Sequence, residues 1–165
     1  MMHEFDRVDA AGIKTRRKCQ TNAVLLNDEW VRLLTQWRIQ LGISLDGPKL
    51  VHDMYRVDHA GRGSYDGAVR GLQRALAAEA DGLRTSVLCF INPMYSGAEM
   101  YQHLRKLGVK RMDFLLPESN HEYPPDGYLP HGELTPYGDY LAEVFDAWID
   151  ENDTSVHVRI LDRIV

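Results

Sequence analysis

The stretch from Thr85 to Ile91 constrains the fold most. Val87, Leu88, Cys89, Phe90 and Ile91 follow one another without a polar interruption and end at Asn92-Pro93. A short apolar run bounded by turn residues reads as a strand covered on both faces, and such strands mark parallel sheets. The flanking chain alternates accordingly. Lys14 to Thr21 reads as a strand. Asn27 or Asp28 then caps a helix whose apolar positions Trp30, Leu33, Leu34 and Trp37 fall at helical spacing. Leu41 to Leu45 is a second strand. Ser64 is placed to cap the next helix, with Tyr65, Ala68, Val69, Leu72 and Leu76 on its buried face and Gly82 at its end. After the apolar run come a helix from Ser96 or Gly97 to Gly108, a strand from Lys110 to Leu116, a helix opened by Thr135-Pro136, and a strand-like alternation over Ser155 to Val165. Met1 to Gly12 has room for a short helix.

Strand and helix in strict turn predict an α/β fold: a mostly parallel sheet with helices on its outer face, joined by right-handed crossovers. The chain opens almost directly into a strand and closes on one without a covering helix. That pattern predicts a partial (β/α) barrel, since so few strands do not close an eight-stranded one. At 165 residues, a single domain over 1–165 is expected.

Parallel sheets bind ligands at the C-terminal ends of their strands. The polar residues expected there are Thr21, Asn22, Ser44, Asp46, Asn92, Glu118, Asn120 and His121. Within Gly42 to Pro48, Ser44 and Asp46 lie two apart, so on a strand they share a face. Gly47-Pro48 then stops the strand, and a long loop is expected to follow, carrying His52, Asp53, Arg56, Asp58, His59 and Arg62. A plain acidic turn is the competing reading of this stretch, and turn capping is that of Asn22 and Asn92. A second cluster, His121, Glu122, His131 and Glu133, offers zinc-type ligands but matches no ordered motif, so a solvated loop is the stronger reading there.

Composition excludes several classes. The net charge of −5 and the lack of a basic stripe beyond Lys14 to Lys18 argue against a nucleic-acid partner. No apolar run approaches the ~18 residues of a membrane span. Two cysteines, Cys19 and Cys89, cannot build a multi-cysteine metal site alone and suit a reducing cytoplasm as free thiols. P-loop, nucleophile-elbow and dinucleotide fingerprints are absent.

The string TNAVLLNDEW (Thr21 to Trp30), followed by GISLDGPKLVHDMYRVDHAGRGSYDGAVRGL (Gly42 to Leu72), resembles radical S-adenosylmethionine (radical SAM) enzymes. The likeness is to the branch that matures sulfatases and ribosomal peptides and carries a SPASM-type extension. DFLLPESNHEYPPDG (Asp113 to Gly127), the Trp148 helix and VRILDRIV (Val158 to Val165) resemble its peptide-cyclising members. The resemblance implies a partial β/α barrel in which a [4Fe-4S] cluster on a CxxxCxxC loop cleaves S-adenosylmethionine, and the resulting radical takes hydrogen from a peptide substrate. It implies that Ser44 helps hold the cofactor's ribose and methionine parts. It further implies that Arg56 meets the cofactor carboxylate, and that Asn22 and Leu116 border the adenosyl pocket. Asp46 joins this set from its place on the Ser44 face. A structural role for Arg56, pairing with Asp53 or Asp58, is the alternative.

The departures are equally specific. The sequence has no CxxxCxxC and no early Gly-Gly-Glu strand end, and Ala23 stands where the family usually has glycine. The sequence up to Val165 includes no cysteine-rich extension. The chain is expected to correspond to the middle and later strands of such a barrel, probed in three ways: as a maturase core truncated here, as a non-catalytic cofactor- or peptide-binding module completed by a partner chain, or, more weakly, as a metal-dependent hydrolase.

Overall fold

A computed structural model describes residues 2–12, 15–119 and 136–162. Five strands form one sheet in the sequential order β1-β2-β3-β4-β5, every neighbouring pair parallel. They are β1 (Lys18–Thr21), β2 (Gln40–Ser44), β3 (Thr85–Phe90), β4 (Arg111–Leu115) and β5 (His157–Val158). The helices are α1 (Met2–Ala10), α2 (Asp28–Gln36), α3 (Lys49–Tyr55), α4 (Tyr65–Ala77, running into a 3₁₀ turn at Ala78–Asp81), α5 (Gly97–Lys106) and α6 (Pro136–Glu151). The fold is α/β, as the alternation requires.

The sheet has one covered and one open face. Leu41, Ile43, Thr85, Val87, Cys89, Met112, Phe114 and Val158 are buried, and the apolar ones share a core with Val31, Leu34, Ala68, Leu72, Leu104 and Val144 from the helices. The residues between them along each strand point the other way. On β3 burial alternates, with Ser86 and Leu88 half-buried and Phe90 exposed. This corrects the expectation that β3 is covered on both faces. Its continuous apolar sequence serves a helix-packed face on one side and a half-open one on the other.

The register aligns the open face. Ser44 on β2 sits beside Leu88 on β3, and Leu88 beside Asp113 on β4. Beyond β5, the backbone N–H of Arg159 donates to the Met112 carbonyl (3.0 Å), which brings Arg159 next to Asp113.

Other expectations shift with local chemistry. The loop after β2 contains α3, because Pro48 has the fixed φ that suits a helix start; its carbonyl accepts from the His52 N–H (2.9 Å). On α2, Val31 and Leu34 are the buried residues and Trp30 is exposed. Asn27 caps that helix by accepting from the Trp30 N–H (2.9 Å). Of the strand expected over Ser155 to Val165, the described residues form only His157–Val158, since the N–H groups of Leu161 and Asp162 turn back onto the Val158 carbonyl (2.8 and 2.9 Å).

Helix α5 is fastened to α6 at two levels, near the start and towards the end of α5. Glu143 accepts from the Ser96 hydroxyl (2.6 Å) and the Gly97 N–H (2.9 Å). Glu151 pairs with Arg105 (2.8 Å) and accepts from the Tyr101 hydroxyl. Gly97 is required between them: a Cβ there would lie 2.1 Å from the Tyr140 carbonyl oxygen.

Candidate functional site

The C-terminal end of β2 is the most densely wired part of the open face. Ser44 is buried, and its Oγ accepts from Gln20 Nε2 on β1 (3.3 Å), leaving its own proton free to donate. Two residues on, Asp46 is also buried. Its Oδ1 accepts from the Phe90 N–H at the end of β3 (2.9 Å) and from Arg56 Nη2 (3.3 Å). Its Oδ2 takes Arg56 Nε. The carboxylate therefore locks two strand ends and one guanidinium together. Gly47 then turns the chain at φ +93°, where a Cβ would meet the Met100 sulfur at 2.3 Å.

Arg56 reaches Asp46 because it is the residue that leaves α3, with φ −106° and ψ 82°. The two carboxylates nearer in sequence are engaged elsewhere. Asp53 accepts from the Tyr65 N–H (2.8 Å) and pairs with Lys49 (2.9 Å). Asp58 closes the hairpin whose bridge joins Val57 to Gly63, taking the N–H groups of Ala60 and Arg62 (2.8 and 2.9 Å) and the Arg62 side chain. It is thus Asp53 that caps α4. Ser64, at the position expected to cap it, gives its hydroxyl to the Arg56 carbonyl instead (2.8 Å). Arg56 Nη1 makes no hydrogen bond among the described residues, so the guanidinium keeps donors for a ligand.

His52, one of six polar loop residues at the sequence level, is the hidden member of this site. It is buried under the turn, its Nδ1 accepting from the Asp46 N–H (3.2 Å) and its Nε2 lying 3.1 Å from Ser64 Oγ. Burial holds its pKa below the ordinary 6.5, against the opposing pull of Asp46.

The remaining candidates sit apart from this network. Asn22 is exposed, its Oδ1 accepting from the Val24 N–H (3.2 Å). Ala23 beside it is held at φ +58°, the geometry for which glycine is suited. Leu116 is exposed just past β4. Asn92 closes a turn onto the Met94 N–H (3.1 Å). His121, Glu122, His131, Glu133 and Asn120 lie outside the described residues. Among the described residues, no group of three or more His, Cys, Asp or Glu side chains could hold a metal ion, and no helix is long and apolar enough to cross a membrane.

No family model matches the chain. Individual proteins do. The cysteine-type anaerobic sulfatase-maturating enzyme of Clostridium perfringens (strain 13 / Type A) is 23% identical over 164 residues, covering 93% of this chain and 42% of that protein. The serine-type enzyme of Klebsiella aerogenes is 29% identical over 103 residues, covering 62% and 25% respectively. The chain is related to the radical SAM sulfatase maturases. Its match spans less than half the length of either relative. The solved structure of native anSMEcpe with bound AdoMet overlays with a TM-score of 0.75 at 21% identity, covering 98% of this chain and 44% of that one. The same protein with bound AdoMet and Cp18Cys peptide gives 0.76, with 98% and 45% covered. These are radical SAM barrels, and the five-stranded parallel sheet is an arc of that fold.

Proposed function

We propose that this chain is the S-adenosylmethionine-positioning part of a radical SAM peptide maturase. Arg56 carries the reading. It is a half-exposed guanidinium at the C-terminal edge of a parallel sheet, aimed by a buried carboxylate and keeping donors unused among the described residues. A guanidinium fork suits a carboxylate such as the one on the cofactor's methionine part. Ser44 adds a free hydroxyl proton on the same face, while Asn22 and Leu116, exposed past the ends of β1 and β4, are proposed to border the pocket. Both Asp46 oxygens are taken by protein donors, so Asp46 acts through Arg56 rather than on the cofactor. A ribosomally made peptide is the proposed substrate, in keeping with the relatives, and the cytoplasm the proposed location of the free thiols.

The fit to an iron–sulfur cluster is different. Cys89 is buried in the core and Cys19 is exposed on β1. The residues present do not make a cluster site, and no radical step is assigned to this chain. In the proposal, cluster ligands come from polypeptide outside this sequence, by way of a longer chain or a completing partner. A non-catalytic cofactor- or peptide-binding module is the second reading, favoured by that same absence.

Calorimetric titration of S-adenosylmethionine into the purified chain tests the proposal. Arg56→Ala is expected to weaken binding by about 1.5–3 kcal/mol, the scale of a hydrogen bond to a charged group, with Arg56→Lys recovering only part. Affinity unchanged in a folded Arg56→Ala variant would remove Arg56 from the site. Iron analysis after anaerobic reconstitution is expected to find no stoichiometric four-iron loading, and finding it would overturn the ligand assignment.

A further inference from the structure

We propose that His52 is the positioning residue of the Asp46–Arg56 clamp and works only as the neutral ring protonated on Nε2. The inference rests on Arg56 being the ligand-facing group, and extends that reading to what aims it. The geometry fixes the proton. A backbone amide can only donate, so the Asp46 N–H makes Nδ1 the acceptor. A neutral ring then carries its proton on Nε2, which donates to Ser64 Oγ, and the Ser64 hydroxyl donates to the Arg56 carbonyl. One chain of three hydrogen bonds thus runs from the backbone of Asp46 to the backbone of Arg56, parallel to the ion pair their side chains make. The ring holds both halves of the clamp at the right separation without touching the ligand side of either.

Protonation breaks this arrangement at one point. A proton on Nδ1 would face the Asp46 N–H, donor against donor across 3.2 Å. The imidazolium would also compete with Arg56 for the Asp46 carboxylate. The groups facing the ring come from every packed element: Asp46 at the β2 exit, Lys49, Asp53 and Arg56 on or beside α3, and the Tyr65 ring of α4 at 5.8 Å, itself bonded to His103 of α5 (3.0 Å). Asp46 and Asp53 favour the cation; burial, Arg56 and Lys49 oppose it. Because the folded pKa is depressed, the clamp is intact above the ordinary value of 6.5 and is lost as pH falls through the lower folded value.

The test is nuclear magnetic resonance on the whole chain, read at the His52 ring nitrogens and the Arg56 Nε–H. The wild type is expected to show the Nε2–H tautomer at neutral pH, and an Arg56 Nε–H signal that loses protection from exchange in the same acid step in which His52 titrates. His52→Asn keeps an acceptor for the Asp46 N–H but cannot titrate, so it should retain the signal and lose the step. His52→Leu should lose the signal at all pH values. An Nδ1–H tautomer, an Arg56 signal indifferent to His52 protonation, or an acid step that persists in His52→Asn would each overturn the inference. Titrating S-adenosylmethionine across the same pH range separates the two readings. Affinity falling about tenfold or more with the step upholds both. No binding at any pH, with the step intact, overturns the ligand reading and upholds the clamp.

Discussion

Two aspartate–arginine pairs stand on the open face of the sheet, and they are built differently. Asp46 and Arg56 are both partly or wholly buried, and the carboxylate takes donors on both oxygens, including one from a neighbouring strand. Asp113 and Arg159 are lopsided. The Asp113 side chain is 5% exposed and its partner 71%. Arg159 donates to Oδ2 only, and Oδ1 is buried with no hydrogen-bond partner among the described residues. The first pair is a cross-brace in which the arginine is held. The second is a buried acid covered by a largely solvent-exposed arginine. Partner identity is the same in both; what differs is how many fixed groups share the carboxylate.

The largest effect should come from Asp46→Ala. Removing one member of a buried, hydrogen-bonded pair leaves a guanidinium without its counter-charge and the Phe90 N–H without its acceptor. A loss of about 3 kcal/mol in chemical denaturation is expected. A double-mutant cycle sharpens the contrast. Coupling between Asp46 and Arg56 should exceed that between Asp113 and Arg159, for which about 1 kcal/mol or less is expected because the arginine is solvent-screened. Equal couplings would erase the distinction. Arg159→Ala comes next, with about 1 kcal/mol lost, the same solvent-screened pairing read as a single substitution. Smallest, and opposite in sign, is the change at a third strand end. Ala23→Gly relieves a left-handed backbone and should raise stability by up to about 1 kcal/mol, less than the left-handed penalty because glycine loses more entropy on folding. A shift in melting temperature upward would show it.

Most of the sheet was legible in the sequence because its determinants are local: apolar runs, caps and glycine stops recur at the spacing of strands and helices. Ser44 and Asp46 sharing a face followed from strand periodicity alone. Helix α3 was not legible, since Gly47-Pro48 reads as a stop and the same proline also starts a helix. The partner of Arg56 was not legible either. Three carboxylates lay within reach along the chain, and the choice of Asp46 depends on the direction in which α3 ends. His52 gave no signal at all, because its partners are a backbone amide and a hydroxyl brought together by the fold. The resemblance singled out Ser44 and Arg56 as expected cofactor contacts, while the hydrogen bonds that hold Arg56 in place are visible only in three dimensions.

The bracing of α6 against α5 bears on how this chain tolerates changes in length. Glu143 in the middle of α6 and Glu151 at its end secure it to α5, and the Trp148 indole N–H donates to the Val156 carbonyl just ahead of β5 (3.2 Å). The last strand is therefore tied to α5 by way of α6. A residue inserted in α6 between Glu143 and Trp148 should therefore displace β5, because the added turn of about 100° takes one set of fastenings out of line with the other.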